Sequence, residues 1–312
     1  MLSVILLSYY SSDRILKVHS VLSQLLGLNN IPFELIIIDD DSRDNSYELA
    51  LNLENENTNV RAYQLSKNYT SFYAMFAGIS VCKGDCAIPI PDDEQLPYKA
   101  VVEMYKLWKE GGKIIIPHRN NRKDGIINNI FASSYYCIIN ALSDIKFPKG
   151  GADTFLIDRE VIDLINAKVH PVNTSIVAEV IRLGFNPVFY PYERGPGIND
   201  KTRWTNRQRI KLFKDTLFSN SSWPIRFIKT IGLCFTVISF AMIIFYCFND
   251  ISGKPLIFIE YIPQWASTAI IISFFSGLIL FSLGIIAEYI WRIYEEVKNR
   301  PGYIIKKKEK EG

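Results

Sequence analysis

The chain has 312 residues with a formal net charge of +3, long enough to bury one sizeable soluble core and still carry a membrane hairpin. So small an excess of positive charge, gathered mainly beside the apolar C-terminal segments, excludes a groove-reading DNA-binding protein and suits an anionic lipid headgroup better. The cysteines (Cys82, Cys86, Cys137, Cys234 and Cys247) lack zinc-ligand spacing, which excludes a zinc module and leaves reduced structural thiols.

Taken from the N-terminus, the apolar run at 2–7 is too short for a signal peptide, lacks a basic leader and predicts a first strand. Buried strands are predicted at 4–7, 35–38, 60–65, 87–90 and 114–116, with helical spacing near 12–26, 43–53, 70–81 and 98–110. This β-α-β-α series predicts an α/β domain over residues 1–200, a Rossmann-like, mostly parallel sheet with its ligands at the carboxyl ends of the strands. Over 201–226 the pattern changes: Arg203, Arg207, Arg209, Lys211 and Lys214 interleave with Trp204, Ile210, Leu212, Phe213, Leu217 and Phe218. Juxtamembrane amphipathic helices are expected there, lying in the headgroup layer, with Ser222-Trp223-Pro224 as an elbow.

Two runs without Asp, Glu, Lys or Arg follow, 230–249 and 261–287. Each reaches the roughly 20 apolar residues that cross about 30 Å of hydrocarbon, so a membrane part is predicted over 227–291, with helices at about 230–249 and 265–287. Basic residues precede the first run and follow the second, while the connecting loop offers only Lys254. Both termini and the α/β domain are therefore expected on the cytoplasmic side of a multi-pass inner-membrane protein, with residues 292–312 a solvated basic tail.

Two clusters carry the chemistry. Asp39-Asp40-Asp41-Ser42 ends the second strand, where carboxylates can accept hydrogen bonds from a ribose hydroxyl or a base N–H. The same residue types also start helices as caps, a role open to Asp41, Ser42 and Asp40. Pro91-Asp92-Asp93-Glu94-Gln95-Leu96-Pro97 ends the fourth strand. Carboxylates there can hold Mg²⁺ or Mn²⁺ while a nucleotide diphosphate completes the shell, and an acidic turn before the next helix is the plainer alternative.

These segments together resemble glycosyltransferase family 2, in its polyprenyl-phosphate branch. Leu7-Ser8-Tyr9 sits at the family's Pro-x-Tyr, Ile38-Asp39-Asp40-Asp41-Ser42 is similar to Val-Asp-Asp-Gly-Ser, and Leu65-Ser66-Lys67-Asn68 to Leu-Ser-Arg-Asn. Asp93, Gln95 and Pro97 match Asp-Leu-Gln-Asp-Pro, Asp153 with 155–159 resembles the acceptor-side strand, and Thr202-Arg203-Trp204 the Ser/Thr-Lys/Arg-Trp segment. The stretch 288–301, from Glu288-Tyr289 to Arg300-Pro301, resembles the closing signature. The resemblance implies a GT-A domain in which Tyr9, Ile38 and Asp40 contact the nucleoside, and Asp93 holds Mg²⁺ or Mn²⁺. It places Gln95 and Arg119 near the diphosphate, with Asp92 as a stand-in carboxylate, and Asp153 with Arg203 and Arg194 at the junction of sugar and lipid phosphate. The chain departs from the pattern at Pro91, which replaces the first Asp of Asp-x-Asp, at Gly197, which replaces an arginine, and at Ser11, which replaces a glutamate.

A lipid phosphate monoester that titrates near 6 is largely dianionic at neutral pH and attacks an anomeric carbon without a strong base. The protein must then align two mutually repelling anions, a task for cations on either side. The expectation is transfer of one sugar from a nucleotide sugar, a UDP-sugar by resemblance, to polyprenyl (undecaprenyl) phosphate for cell-envelope glycan modification. Inversion at the anomeric carbon, a homo-oligomer as large as a tetramer and no nucleic-acid partner complete that picture. The alternatives are a processive polysaccharide synthase, because Arg203-Trp204 also ends the Gln-x-x-Arg-Trp of such enzymes, and a non-catalytic nucleotide-sugar-binding subunit, motivated by Pro91 and Gly197.

Overall fold

The computed structural model describes residues 1–119, 140–141, 146–148, 151–193, 225–228, 230–235, 237 and 264–306. The chain divides into two compact units, Met1–Asn220 with Arg300–Gly312, and Ser221–Asn299.

The first unit alternates strand and helix as its periodicity requires. In order come β1 (Leu2–Ser8), α1 (Ile15–Leu28), β2 (Phe33–Asp39), α2 (Ser46–Glu56), β3 (Val60–Gln64), α3 (Ser71–Val81), β4 (Cys86–Pro91), α4 (Tyr98–Lys109) and β5 (Ile114–Arg119). After the undescribed stretch come β6 (Leu156–Asp158), α5 (Arg159–Lys168), α6 (Ile176–Arg182) and β7 (Val188–Tyr192). The sheet order is β3-β2-β1-β4-β6-β5-β7, parallel throughout except that β6 runs antiparallel to β4 and β5.

Strands covered on both faces read as unbroken apolar runs, and β1 and β2 do so. Ile5, Leu7, Ile36 and Ile38 point into one core, with Ala74 of α3, Val161 of α5 and Ile176 of α6. Val4, Leu6, Leu35 and Ile37 point into the other, with Leu22 of α1, Ala50 of α2 and Val101 of α4. In α1 the buried positions, Ile15, Val18, Leu22 and Leu26, follow the 3.6-residue period that places one stripe against a sheet. Cys82 and Cys86 are free and buried, and burial pushes the Cys86 thiol up to about 12, an unreactive packing group. Because β2 and β3 lie to one side of β1 and β4 to the other, the chain reverses direction across the sheet between β1 and β4, the point at which open α/β sheets form their ligand crevice.

In the second unit α7 (Gln264–Val297) runs for 34 residues, roughly 51 Å at about 1.5 Å per residue. Its segment Phe274–Val297 has a mean hydropathy of 1.8 and none of its most apolar window is buried within the structure. Among the described residues it is the one helix long and apolar enough to cross a membrane. Residues 225–228 and 230–235 are helical, but 238–249 of the first expected span and 201–224 of the expected juxtamembrane helices lie outside the described residues.

The expected tail over 292–312 is divided differently. Helix α7 continues to Val297, Asn299 turns left-handed (φ 46°), and the chain from Arg300 belongs to the first unit. There Leu65 forms an antiparallel bridge with Ile305, Ser66 N–H donates to the Ile304 carbonyl at 2.9 Å, and Lys306 N–H donates to the Gln64 carbonyl at 2.8 Å. The segment pairs with Gln64, Leu65 and Ser66, at and just past the carboxyl end of β3, the edge strand of the sheet. Tyr303 and Ile305 pack on the apolar core, which is why 302–306 does not behave as a solvated chain end.

Candidate active site

The loops that leave β1, β2, β3 and β4 at their carboxyl ends line the crevice, and each holds one non-glycine residue at positive φ: Tyr10 (51°), Asp41 (58°), Thr70 (83°) and Glu94 (54°). Such backbone strain is retained where surrounding contacts over-determine a shape, and it gathers at functional sites. Here the contacts are visible. Tyr10 N–H donates to Ser42 Oγ at 2.9 Å and Ser11 N–H to Ser46 Oγ at 2.7 Å, stitching the β1 loop to the β2 loop.

Three consecutive acids at the end of β2 have three different fates. Asp39 is fully buried; its Oδ2 accepts from Ser42 N–H at 3.0 Å and Gln64 Nε2 at 3.2 Å, while its Oδ1 has no partner among the described residues. Burial pushes its pKa up, the hydrogen bonds from Ser42 and Gln64 pulling the other way. Asp40 accepts Tyr69 N–H on Oδ1 at 2.7 Å and Thr70 N–H on Oδ2 at 2.8 Å. Burial raises its pKa too, opposed by those two amides. Expected to face a nucleoside, Asp40 instead uses both oxygens to hold the β3–α3 loop in its left-handed turn at Thr70. Asp41 is partly exposed and pairs with Lys306 Nζ at 2.9 Å.

Ile38 also departs from its expected role. Its side chain is fully buried in the core, so a ligand in the crevice can reach only its main chain. Tyr9 lies at the mouth, partly exposed, its ring edge-on to Tyr10 with centroids 4.7 Å apart.

At the end of β4 the adjacent acids are sharply distinguished. Asp92 Oδ2 accepts from Arg14 Nε at 2.9 Å, lies 2.8 Å from Arg14 NH2 and also accepts from Ser11 Oγ. Both ends of this ion pair are buried, with side-chain exposures of 8% and 7%, so Asp92 faces the start of α1 rather than a donor. Asp93 is partly exposed and accepts from the amide and side chain of Gln95. Gln95, expected beside a diphosphate, orients Asp93. Tyr98, at the start of α4, has a buried hydroxyl without a partner among the described residues, and burial followed by Glu94, Asp92 and Asp93 raises its pKa.

Across the crevice, Arg119 at the end of β5 and Asp153, just ahead of β6, form an ion pair at 2.8 Å, joining two residues 34 apart in sequence. Asp153 remains 64% exposed. Arg194 and Arg203 lie outside the described residues. The residues that sequence reasoning passed over are Arg14, Gln64 and Lys306. Their signals are long-range pairings that no local pattern announces.

Mg²⁺ or Mn²⁺ takes one or two carboxylates and fills its shell with substrate phosphates and water. Asp93 fits that role as a single protein ligand, whereas Asp92 does not, its charge being committed to Arg14. Among the described residues there is no group of three or more His, Cys, Asp or Glu able to hold a metal alone, so a bound ion would lean on ligand oxygens. With a divalent ion at Asp93 the arrangement can hold a polyanion, and the Arg119–Asp153 pair supplies a guanidinium on the β5–β6 side.

Residues 3–163 match the sequence profile of Glycosyl transferase family 2. The chain belongs to that family. It is a glycosyltransferase whose α/β domain carries the mostly parallel sheet described above. A glycosyltransferase of Synechocystis is 29% identical over 307 residues, spanning 97% of this chain and 94% of that protein. The SfII prophage-derived bactoprenol glucosyl transferase of Shigella flexneri is 29% identical over 280 residues, 88% of this chain and 87% of its own. Glucosyl-3-phosphoglycerate synthase from Mycobacterium tuberculosis, solved with Mn²⁺, UDP-glucose and phosphoglyceric acid, is 16% identical over 70% of this chain and 79% of that one, with a TM-score of 0.48.

Proposed function

We propose that this family 2 enzyme moves one sugar from a nucleoside-diphosphate sugar, a UDP-sugar, to a polyprenyl phosphate at the cytoplasmic face of a membrane. The observation that carries the reading is the extent of its likeness to bactoprenol glucosyl transferases. The alignment with the Shigella flexneri protein spans 280 residues, far beyond the matched family domain at 3–163, so the likeness is not confined to the donor-binding half. The exposed apolar helix α7 supports a lipid setting, and the basic flanks of the two uncharged runs support a hairpin with both ends in the cytoplasm.

In this reading Asp93, held by Gln95, is the carboxylate that would hold Mg²⁺ or Mn²⁺, an ion that would offset the charge of the departing nucleoside diphosphate. Tyr9 and the Ile38 main chain border the nucleoside, and Asp40 shapes the loop around it. Arg119 faces the diphosphate and Asp153 keeps that guanidinium in place, so the carboxylate orients a group and need not take a proton. Arg194 and Arg203 are assigned to the lipid phosphate, where paired cations would offset repulsion between the two anions. Assembly as a homo-oligomer belongs to the same proposal.

The test is incubation of the full chain in detergent with undecaprenyl phosphate and radiolabelled nucleotide sugars, with and without Mn²⁺. A lipid-linked monosaccharide is expected. A polymer ladder would instead identify a processive synthase, and no transfer from any donor would identify a binding subunit.

A further inference from the structure

The C-terminal segment beyond α7 reaches the crevice, although nothing in the family 2 domain at 3–163 includes it. Its path is tightly specified. A side chain at Gly302 would place its β-carbon 2.7 Å from Pro171 Cβ and 3.1 Å from the Tyr73 ring, so only glycine passes between them. Tyr303 then packs on the core with its hydroxyl 3.4 Å from the Phe76 carbonyl, and 304–306 pair with Gln64, Leu65 and Ser66 at the end of β3. The pairing delivers Lys306 to the carboxyl ends of β2 and β3, where Nζ donates to Asp41 Oδ1 at 2.9 Å and to Gln64 Oε1 at 3.1 Å. Gln64 in turn donates to Asp39, linking the tail to the acid cluster.

The sheet order assigns this corner a ligand end. Asp93 follows β4, and the Arg119–Asp153 pair lies on the β6–β5 side of it. If the diphosphate sits at Asp93 and reaches toward Arg119, the nucleoside extends the opposite way, past β1 to β2 and β3. An ammonium group has three N–H donors, and two are directed to Asp41 and Gln64. The third has no acceptor among the described residues, and the Lys306 side chain stays 41% exposed. Asp41 and Gln64 fix the ammonium in place, so little freedom is lost when it engages a ligand.

We propose that residues 302–306 form the outer wall of the nucleoside end of the donor crevice, and that Lys306 is a specificity-determining residue that donates to a carbonyl oxygen of the nucleobase. This rests on the donor reading given above. It makes the segment after the apolar helix part of the donor site rather than a tail.

The experiment uses the full chain in detergent, with UDP-glucose and inorganic pyrophosphate as probes in the presence of Mn²⁺, followed by calorimetry. Lys306→Ala should weaken UDP-glucose binding about tenfold or more, as expected for loss of a hydrogen bond from a charged group, while leaving pyrophosphate binding unchanged. Lys306→Arg should restore most of the affinity. Unchanged UDP-glucose binding in Lys306→Ala would overturn the proposal, as would equal losses for both probes, which mark a diphosphate contact or general damage. Failure of the unsubstituted chain to bind any of UDP-, GDP- or CDP-sugars would overturn it together with the donor reading, an outcome separable from the others because it needs no variant.

Discussion

The two sides of the crevice are built differently. Along β1, β2 and β3 the loops are tied to each other: Ser42 and Ser46 receive the amides of the β1 loop, Asp40 holds the β3 loop by two amides, and Lys306 clamps Asp41. Across at β5 and β6, Arg119 meets an Asp153 that is 64% exposed. The tied side suits a compact ligand that must be held in one pose, because pre-positioning removes orientational freedom before the reaction begins. The open side suits a bulky acceptor that must enter and leave. The contrast is sharpest at Asp92 and Asp93, adjacent acids of which one is buried against Arg14 and the other is partly exposed.

Breaking that pair of roles should give the largest effects. Arg14→Met removes one partner of the buried Arg14–Asp92 pair and strands a carboxylate, so it is expected to destabilise the first unit by about 3–5 kcal/mol in denaturant unfolding. Asp93→Asn is expected to leave the unfolding midpoint in place and to lower kcat about a hundredfold or more, the scale of charge stabilisation worth several kcal/mol. A variant of Asp93 that unfolds early, or one of Arg14 that is stable but inactive, would reverse the assignment of the two acids.

That distinction also marks where sequence reasoning stopped. The strands expected at 4–7, 35–38, 60–65, 87–90 and 114–116 fall on β1 to β5, and the four expected helices on α1 to α4, because unbroken apolar runs and 3.6-residue stripes are local signals. The position of the acids at strand ends was equally legible. Their partners were not. Asp92 is matched by Arg14 from 78 residues away and Asp41 by Lys306 from 265 away, separations at which no spacing rule operates. The basic composition of the last residues suggested a solvated end, and only Gly302 and the alternating Tyr303 and Ile305 hinted at an edge strand. The buried side of Ile38 was hidden for another reason: a strand of consecutive isoleucines gives no clue to which face each one takes.

A third test concerns the cost of the tied side. Asp39 sits buried with one oxygen unpartnered among the described residues, and burial raises its pKa. A carboxyl that holds its proton more tightly in the folded chain stabilises it fully below the ordinary value of about 3.9, and that stability is lost as pH rises through the folded value. Asp39→Asn should therefore raise stability at pH 7 by about 1 kcal/mol, since an unpartnered amide costs less than an unpartnered charge. The gain should shrink toward acid pH. Thermal unfolding of both chains across pH 3 to 8 reads the difference, and a constant gap would remove the buried charge as its cause.

The smallest effect separates backbone from side chain at Asp41. This residue stands where the resemblance places a glycine, it holds φ at 58°, and its carboxylate meets Lys306. Asp41→Gly and Asp41→Ala both delete that contact, which is partly exposed and worth about 0–1 kcal/mol. Only alanine keeps a β-carbon in the left-handed region, so it should be less stable than the glycine variant by about 1 kcal/mol. Equal midpoints for the two would mean that the β2 loop relaxes out of its turn once Lys306 lets go. In that case the tail, and not the loop's own residues, would be what holds the acid cluster in shape.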